Sequence, residues 1–228
     1  MTLDLSKIFQ MRPLESFNFT YNLMLSFITQ TEETIQASID KFNAEGPEEY
    51  EIEIDAAENI YQYTETYMGL DSHSVELGDI FTSHFPSLQR RSAFLTLFGT
   101  YEHEIENLCT NYASTHETNI NLSDMKGSGL ERAHLFIKKV IGLNESASFS
   151  KLRKIVKLRN TCTHNDARYV ENDGQEMKQL RKLMTDQSNY FTADGQQVLF
   201  HHGALEFVLE CFDEYIKEIR SILEATEV

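Results

Sequence analysis

Apolar residues recur every three or four positions along most of the chain, and this spacing places them on one face of an α-helix. The pattern is clearest from Leu88 to Ala113 and from Leu205 to Leu223. Asp194-Gly195, which lies between two short apolar runs, is typical of a β-hairpin turn. The pattern therefore predicts one possible hairpin near residues 190–200 and helices at residues 19–42, 47–69, 88–113, 130–141, 148–165, 177–184 and 205–223.

The segment between Pro47 and Gly69 fits two kinds of secondary structure. Proline suits the first position of a helix and glycine suits the position just after its end, so the pair predicts a helix. Tyr50, Ile52 and Ile54, however, alternate with acidic residues, and alternation is typical of a strand. We adopt the helix because residues between Pro47 and Gly69 also form a narrow seam at helical spacing: Tyr50, Ile54, Ala57, Tyr61, Thr64 and Met68.

The composition favours an all-α fold. Three prolines and ten glycines are too few for the frequent turns of an all-β sandwich or barrel. A content of 41% apolar and 11% aromatic residues excludes an intrinsically disordered chain. We predict a helical bundle with the possible small hairpin, in which residues 1–85 form an acidic helical extension and residues 86–228 form a helical domain.

Charge is distributed unevenly along the chain. The net charge of −16 argues against a protein that coats nucleic acid through overall basicity. The stretch from Lys126 to Arg159, however, contains nine basic residues and only two acidic ones, so its local charge is +7. This stretch is either an ordinary solvated face or a surface that binds a polyanion such as RNA. The candidate RNA contacts within it are Lys151, Arg153, Lys154 and Lys157.

The basic stretch ends in residues that suit phosphate chemistry. Arg159 offers a planar, permanently charged donor for phosphate oxygens, and His164 can move protons. Asn160 could orient either the imidazole or a substrate. On an ideal helix Asn160 and His164 share a face, whereas Arg159 lies about 140° from His164. Either the helix distorts where Asn165 and Asp166 end it, or a second copy of the chain completes the site. A purely structural alternative is that Arg159 and His164 interact with helix-end carbonyls.

The segment from Arg159 to His164 resembles the R-x4-6-H motif of HEPN domains (higher eukaryotes and prokaryotes nucleotide-binding). The stretch RRSAFLTLFGTYEHEIENLC is similar to the first helix of larger HEPN domains, and the resemblance covers roughly residues 86–225. It implies an all-α HEPN-like bundle and a metal-independent, cofactor-free endoribonuclease, or RNA hydrolase, that acts as a homodimer. In such an enzyme the RNA 2′-OH attacks its own phosphodiester and leaves a 2′,3′-cyclic phosphate and a 5′-OH.

The resemblance also implies a biological setting. HEPN ribonucleases often belong to toxin–antitoxin or antiviral defence systems, so an antitoxin or regulatory protein is an expected partner. Some members carry a tyrosine two residues after the histidine, where a partner enzyme attaches adenylate. This chain has Asp166 at that position, and its nearest tyrosine is Tyr169. Two alternatives remain: a non-catalytic helical module that binds a nucleotide or a protein, and an interaction scaffold whose motif is coincidental.

The cysteines and the termini favour a cytoplasmic protein. Cys109, Cys162 and Cys211 are odd in number and lie in apolar stretches, which is typical of packed thiols in a reducing compartment. No secretory signal and no membrane span are predicted. Adjacent His201 and His202 would point apart, so no metal site is predicted there. The acidic run at residues 48–58 is a solvated face, an imitation of nucleic acid or a surface for a basic partner.

Overall fold

A computed structural model describes residues 13–55, 57–171 and 173–226 of the chain. In the described residues, π-helical turns lie at Ile80–His84 and Ile137–Ile141, each continuous with an α-helix. The helices and strands are, in chain order, α1 (Pro13–Glu45), β1 (Glu48–Asp55), β2 (Ile60–Tyr67), β3 (Leu70–Asp71), α2 (Leu77–Asp79), α3 (Phe85–Thr115), α4 (Gly129–Phe136), α5 (Ala147–His164), α6 (Lys178–Asp186), β4 (Phe191–Asp194), β5 (Gln197–Phe200) and α7 (Ala204–Thr226).

Helices α3 and α7 form the centre of the core, as their apolar periodicity predicts. Of the α3 residues that helical spacing places on one face, Phe94, Leu97 and Phe98 are among those buried, and Tyr112 near the end of α3 is only partly buried. Tyr101 of α3 stacks on Phe212 of α7, with their ring centroids 4.7 Å apart. Burial of such a continuous apolar face supplies most of the stability of these long helices.

Helix α1 packs on this core and includes a buried ion pair. Met24 and Ile28 lie on its inner face, as the predicted helix at residues 19–42 requires, and Phe17 extends this face toward the beginning of α1. Glu32 follows on the same face and accepts two hydrogen bonds from Arg90 of α3, at 2.8 and 2.7 Å. Both side chains are only 9% exposed, so the bidentate pair satisfies charges that would be costly to bury alone.

The all-α prediction is wrong, because residues 48–71 form a three-stranded antiparallel sheet in the order β1-β2-β3. Tyr50 lies opposite Thr64 and Ile52 lies opposite Gln62. On a helix, residues 50, 52 and 54 would be spread around the axis, whereas on a strand they share one face. The period of two therefore decides the structure. Gly69 has a φ of +82°, which suits the tight turn between β2 and β3 rather than a helix end.

A second sheet also departs from an all-α, HEPN-like bundle. Strands β4 and β5 pair with Phe191 opposite Phe200, so the predicted hairpin is confirmed. Asp194 pairs with Gln197, and the two turn residues between them are Gly195 and Gln196. The acidic helical extension is likewise wrong as stated, since α1 is the only helix in the described residues 13–55 and 57–71. The predicted domain boundary between residues 85 and 86 stays a prediction; it lies where the turn at Ile80–His84 leads into α3.

Candidate functional site

Helix α5 carries all the predicted site residues. Ser146 caps its first turn, with its hydroxyl accepting a hydrogen bond from the Phe149 backbone N–H at 2.9 Å. The helix predicted at residues 148–165 therefore begins one residue earlier, at Ala147. Glu218 of α7 accepts hydrogen bonds from Ser146 and Ser148, which fixes the beginning of α5 to α7. The apolar face of α5 is buried and comprises Phe149, Leu152, Ile155, Val156 and Leu158.

One outward face of α5 combines basic, amide and imidazole side chains. Helical geometry places Arg153, Lys157, Asn160 and His164 within an arc of about 60°, along about 16 Å of the helix. Asn160 and His164 are exposed, and within the described residues His164 makes no side-chain hydrogen bond or ion pair. This face could therefore contact an external ligand.

Arg159 lies on a different face and is held by three neighbours. Its guanidinium donates to the Glu102 carboxylate of α3 at 2.8 Å and to the Asn160 side-chain oxygen at 3.1 Å. It also lies 5.3 Å from the centre of the Phe98 ring, a cation–π distance. These contacts restrain the guanidinium while leaving 32% of the Arg159 side chain exposed.

Glu102 occupies a confined position between α3, α4 and α5. Burial raises the pKa of its carboxyl, and the charge of Arg159 acts in the opposite direction. A backbone hydrogen bond from Leu130 of α4 also favours the charged carboxylate. A Cβ atom at position 129 would lie 1.9 Å from Glu102 Oε1, so Gly129 allows the carboxylate to approach the beginning of α4. Removing the side chain at this one position makes the Glu102–Arg159 pair possible.

The structure does not bring Arg159 and His164 together within one chain. Helix α5 continues as far as His164, and left-handed backbone begins only at Asp166, with a φ of +48°. The two side chains therefore diverge by about 140°, as the ideal helix predicts. Of the two ways to complete the site, distortion of the helix before His164 is absent from the described residues. Completion by a second copy remains.

The segment after His164 is tied to two other elements. Asp166 forms an ion pair with Arg91 of α3 at 2.8 Å and accepts a hydrogen bond from Gln197 of β5. Ala167 is fully buried, and its carbonyl accepts from the Val198 backbone. The end of α5 is therefore positioned by α3 and by the second sheet, which places His164 next to a well-anchored turn.

The four candidate RNA contacts have partners of their own. Lys151 pairs with Glu214 at 2.7 Å and Lys154 with Asp186 at 2.6 Å. Lys157 lies 4.0 Å from an oxygen of Glu171. The Arg153 guanidinium lies 5.5 Å from the centre of the Phe149 ring. Acidic residues of neighbouring elements therefore compensate part of the local +7 charge, a compensation that the sequence does not indicate.

Sequence reasoning missed Glu102, Phe98 and Gly129. Glu102 lies inside the stretch compared with the first HEPN helix, and the 3.6-residue period places it beside buried Phe98 and Ile105. That period identifies the face of α3 but not the partner element, because Arg159 is 57 residues away in the chain. No other signal in the sequence selects this carboxylate.

The thiols and the remaining histidines suggest no second chemistry. Burial raises the pKa of Cys162 to about 12, so this thiol is a packed group rather than a nucleophile. Cys109 and Cys211 are buried free thiols, as predicted for packed cysteines. His201 and the hydroxyl of Thr192 are 2.6 Å apart. Across residues 13–55, 57–171 and 173–226, no three His, Cys, Asp or Glu side chains are grouped to bind a metal ion.

The described helices give no candidate for a membrane span, since none is both long and apolar enough. Comparisons with protein-family models, with curated proteins and with solved structures found no match. The chain is thus a mostly helical protein with two small antiparallel sheets, and its site is defined by its own geometry.

Proposed function

We propose that this chain cleaves RNA with a site formed by Arg159, Asn160 and His164. The observation that carries the proposal is the arrangement of α5, where an exposed imidazole and amide share a face with Arg153 and Lys157 while a restrained guanidinium lies on the next face. A phosphodiester on this surface would contact permanent positive charge and an imidazole, the usual group for catalytic proton transfer. The R-x4-6-H resemblance of residues 159–164 also supports this assignment.

The chemistry needs only the RNA and these side chains. His164 accepts the proton of the ribose 2′-OH, and the resulting oxygen attacks the adjacent phosphorus while the bond to the 5′ oxygen breaks. Arg159 stabilises the negative charge that grows on the phosphoryl oxygens, and Asn160 positions the guanidinium through its side-chain oxygen. The departing 5′ oxygen takes up a proton from water and His164 returns its proton to the solvent, so the products are a 2′,3′-cyclic phosphate and a 5′-OH.

Cleavage of single-stranded RNA by the purified full chain tests the proposal. We expect His164→Ala and Arg159→Ala each to reduce the cleavage rate at least about a hundredfold with folding intact, because they remove proton transfer and charge stabilisation. His202→Ala, at an exposed position on another loop, is the matched control and should keep the wild-type rate. Cleavage should persist in EDTA, and all-DNA strands should survive. Full activity of the His164 variant, or loss of activity with a chelator, would overturn the mechanism.

A non-catalytic binding module is the second candidate function. The observation that favours it is the ion pair between Arg159 and Glu102, which engages the guanidinium with a carboxylate of the same chain. In such a module the α5 face would bind a nucleotide or a protein without chemistry. RNA binding that persists without cleavage, and that is unaffected by His164→Ala, would select this function over the enzyme.

The same proposal includes a homodimer, a cytoplasmic location and a role in toxin–antitoxin or antiviral defence. The dimer is motivated by the divergence of Arg159 and His164, since a twofold axis beside α5 could bring the arginine of one copy to the histidine of the other. The location and the role rest on the family resemblance and on the packed thiols. An antitoxin or regulatory protein would then restrain the enzyme.

A further inference from the structure

Strands β1 and β2, which we call the acidic ribbon, project with little cover on either face. All eight residues of β1 are exposed, and so are the first four residues of β2. Tyr50 is 62% exposed, Ile54 58% and Tyr63 68%. A ribbon that buries neither face gains little from the hydrophobic effect and is marginally stable by itself. Large apolar side chains exposed together in this way mark an interaction surface.

The ribbon is attached firmly at one end only. Near its base Tyr67 contacts Phe42 and Phe81, with ring centroids 5.0 and 4.8 Å apart. The Tyr67 hydroxyl also donates to Glu45 of α1 at 2.8 Å. The free end, around Asp55 and Ile60, lies beyond these contacts. The aromatic cluster therefore positions the ribbon while leaving its length available to a partner.

The two faces of the ribbon differ in chemistry. Tyr50, Ile52 and Ile54 alternate along β1 on one face, and Glu49, Glu51 and Glu53 occupy the other. Across the ladder, Glu51 lies opposite Tyr63 and Glu53 opposite Tyr61. On β1, one face is therefore apolar, with Thr64 and Gln62 of β2 opposite Tyr50 and Ile52, and the other is acidic with tyrosines beside the carboxylates.

Strand β1 is also an open edge. In the order β1-β2-β3 it pairs only with β2, so every second residue directs its N–H and C=O groups away from the sheet. Protein edges of this kind bind extended segments by addition of a strand, with backbone hydrogen bonds giving affinity and alternate side chains giving specificity.

Charge decides among the possible occupants. Residues 48–67 contain seven acidic residues and no basic one. A second copy would place glutamates against glutamates, and nucleic acid would place phosphates against them, so both are repelled. A strand that alternates basic and apolar residues complements both faces at once.

We infer that the acidic ribbon docks an extended basic segment of a partner protein, which adds to the β1 edge as a further strand. Its apolar side chains lie beside Tyr50, Ile52 and Ile54, and its lysines or arginines lie beside Glu49, Glu51 and Glu53. This inference uses no residue of the α5 site and is independent of RNA cleavage.

The test measures binding of a labelled Lys-Val alternating peptide, as long as β1, to the full chain at low salt. The comparison peptide has the same composition but repeats Lys-Lys-Val-Val, so its charge is equal and its alternation is lost. We expect the alternating peptide to bind about tenfold more tightly, and hydrogen exchange at β1 amides to slow only when it is bound. Equal binding of the two peptides, or no protection of β1, would overturn the strand addition.

Variants of the protein separate local complementarity from overall charge. The triple variant E49K/E51K/E53K should weaken the alternating peptide about tenfold, whereas E33K/E210K/E224K, with the same charge change at other exposed sites, should weaken it far less. I52S/I54S keeps every charge and should also weaken binding, which covers the case where charge reversal unfolds the ribbon. Equal loss in both triple variants contradicts the inference. The inference is also contradicted if the ribbon variants abolish self-association of the chain or its binding to RNA, since the ribbon would then bind a second copy or RNA.

Discussion

At the residue scale, the role proposed for Arg159 competes with a contact that it already makes. Its guanidinium is the best phosphate donor of the candidate site, yet a carboxylate of the same chain already neutralises it. Burial raises the pKa of the Glu102 carboxyl, so the charged form that pairs with Arg159 is costly to maintain. Glu102 therefore sets how available Arg159 is to an external anion.

Replacing this carboxylate should shift Arg159 toward RNA. We expect Glu102→Gln to raise RNA affinity several-fold at low salt, because the guanidinium loses its internal anion, and to lower the free energy of unfolding by about 1 kcal/mol. Fluorescence anisotropy and urea unfolding measure the two effects. Glu106→Gln is the matched control, since it removes the same charge one turn away, from a carboxylate that binds Arg132 at 2.6 Å. An equal rise in affinity for both variants would mean that only overall charge matters.

At the element scale, His134 joins three helices. Its ring stacks on Phe149 of α5, with centroids 3.5 Å apart, and its Nδ1 lies 2.8 Å from the hydroxyl of Tyr215 in α7. Burial lowers the pKa of His134 from 6.5 to about 4, and the charges of Arg153 and Lys138 act in the same direction. The neutral imidazole is therefore the form that fits between α4, α5 and α7.

This contact predicts a loss of stability in mild acid. Above pH 6.5 the folded and unfolded states both hold neutral His134; between pH 6.5 and about 4 only the unfolded state takes up the proton, so folding weakens as the pH falls. The full loss is about 3 kcal/mol and is complete below pH 4. Urea unfolding at pH 7 and pH 4.5 should show that His134→Phe loses less stability on acidification than the wild type. Tyr215→Phe keeps the imidazole and should retain the wild-type pH dependence of stability. If His134→Phe and the wild type lose the same stability on acidification, His134 is not the group responsible.

The elements that the sequence predicted well are those with long uninterrupted periods. Helices α3 and α7 carry apolar residues at helical spacing over many turns, so local pattern and tertiary packing agree. The helix predicted at residues 47–69 was wrong because Pro47 and Gly69 occur equally well at helix ends and in turns. In addition, Tyr50, Ile52 and Ile54 alternate over only a few positions. The period of two was present and should have outweighed the punctuation.

At the scale of the whole molecule, the sequence predicted the site residues on α5 but not their partners from other elements. The sequence places Arg159, Asn160 and His164 on one helix and predicts that Arg159 diverges from His164, and the described α5 has this geometry. The sequence does not predict the contact of Arg159 with Glu102, nor the acidic residues that pair with Lys151 and Lys154, because those contacts join elements far apart in the chain. Periodicity identifies which face of a helix is buried, whereas the identity of the partner depends on the fold.

The divergence of Arg159 and His164 leads to a prediction about the assembled molecule. If a twofold dimer combines the arginine of one copy with the histidine of the other, Arg159→Ala and His164→Ala each destroy both sites of their own dimers. In a mixed dimer, one site loses both residues and the other keeps both. Equal mixing with free subunit exchange yields half mixed dimers, so about a quarter of the wild-type sites should return.

The measurement is the RNA cleavage rate of the two inactive variants alone and after mixing, with subunit exchange confirmed by native mass spectrometry of differently tagged chains. Recovery to about a quarter of the wild-type rate supports a site shared between copies, because neither variant can supply both groups. The double variant R159A/H164A mixed equally with wild type is the control: its mixed dimers keep no complete shared site, so activity should fall to about a quarter of that of wild type alone at the same total protein concentration. Sites contained within single chains predict the opposite pair of results. The two inactive variants would then recover nothing, and the double variant would lower activity only to about half.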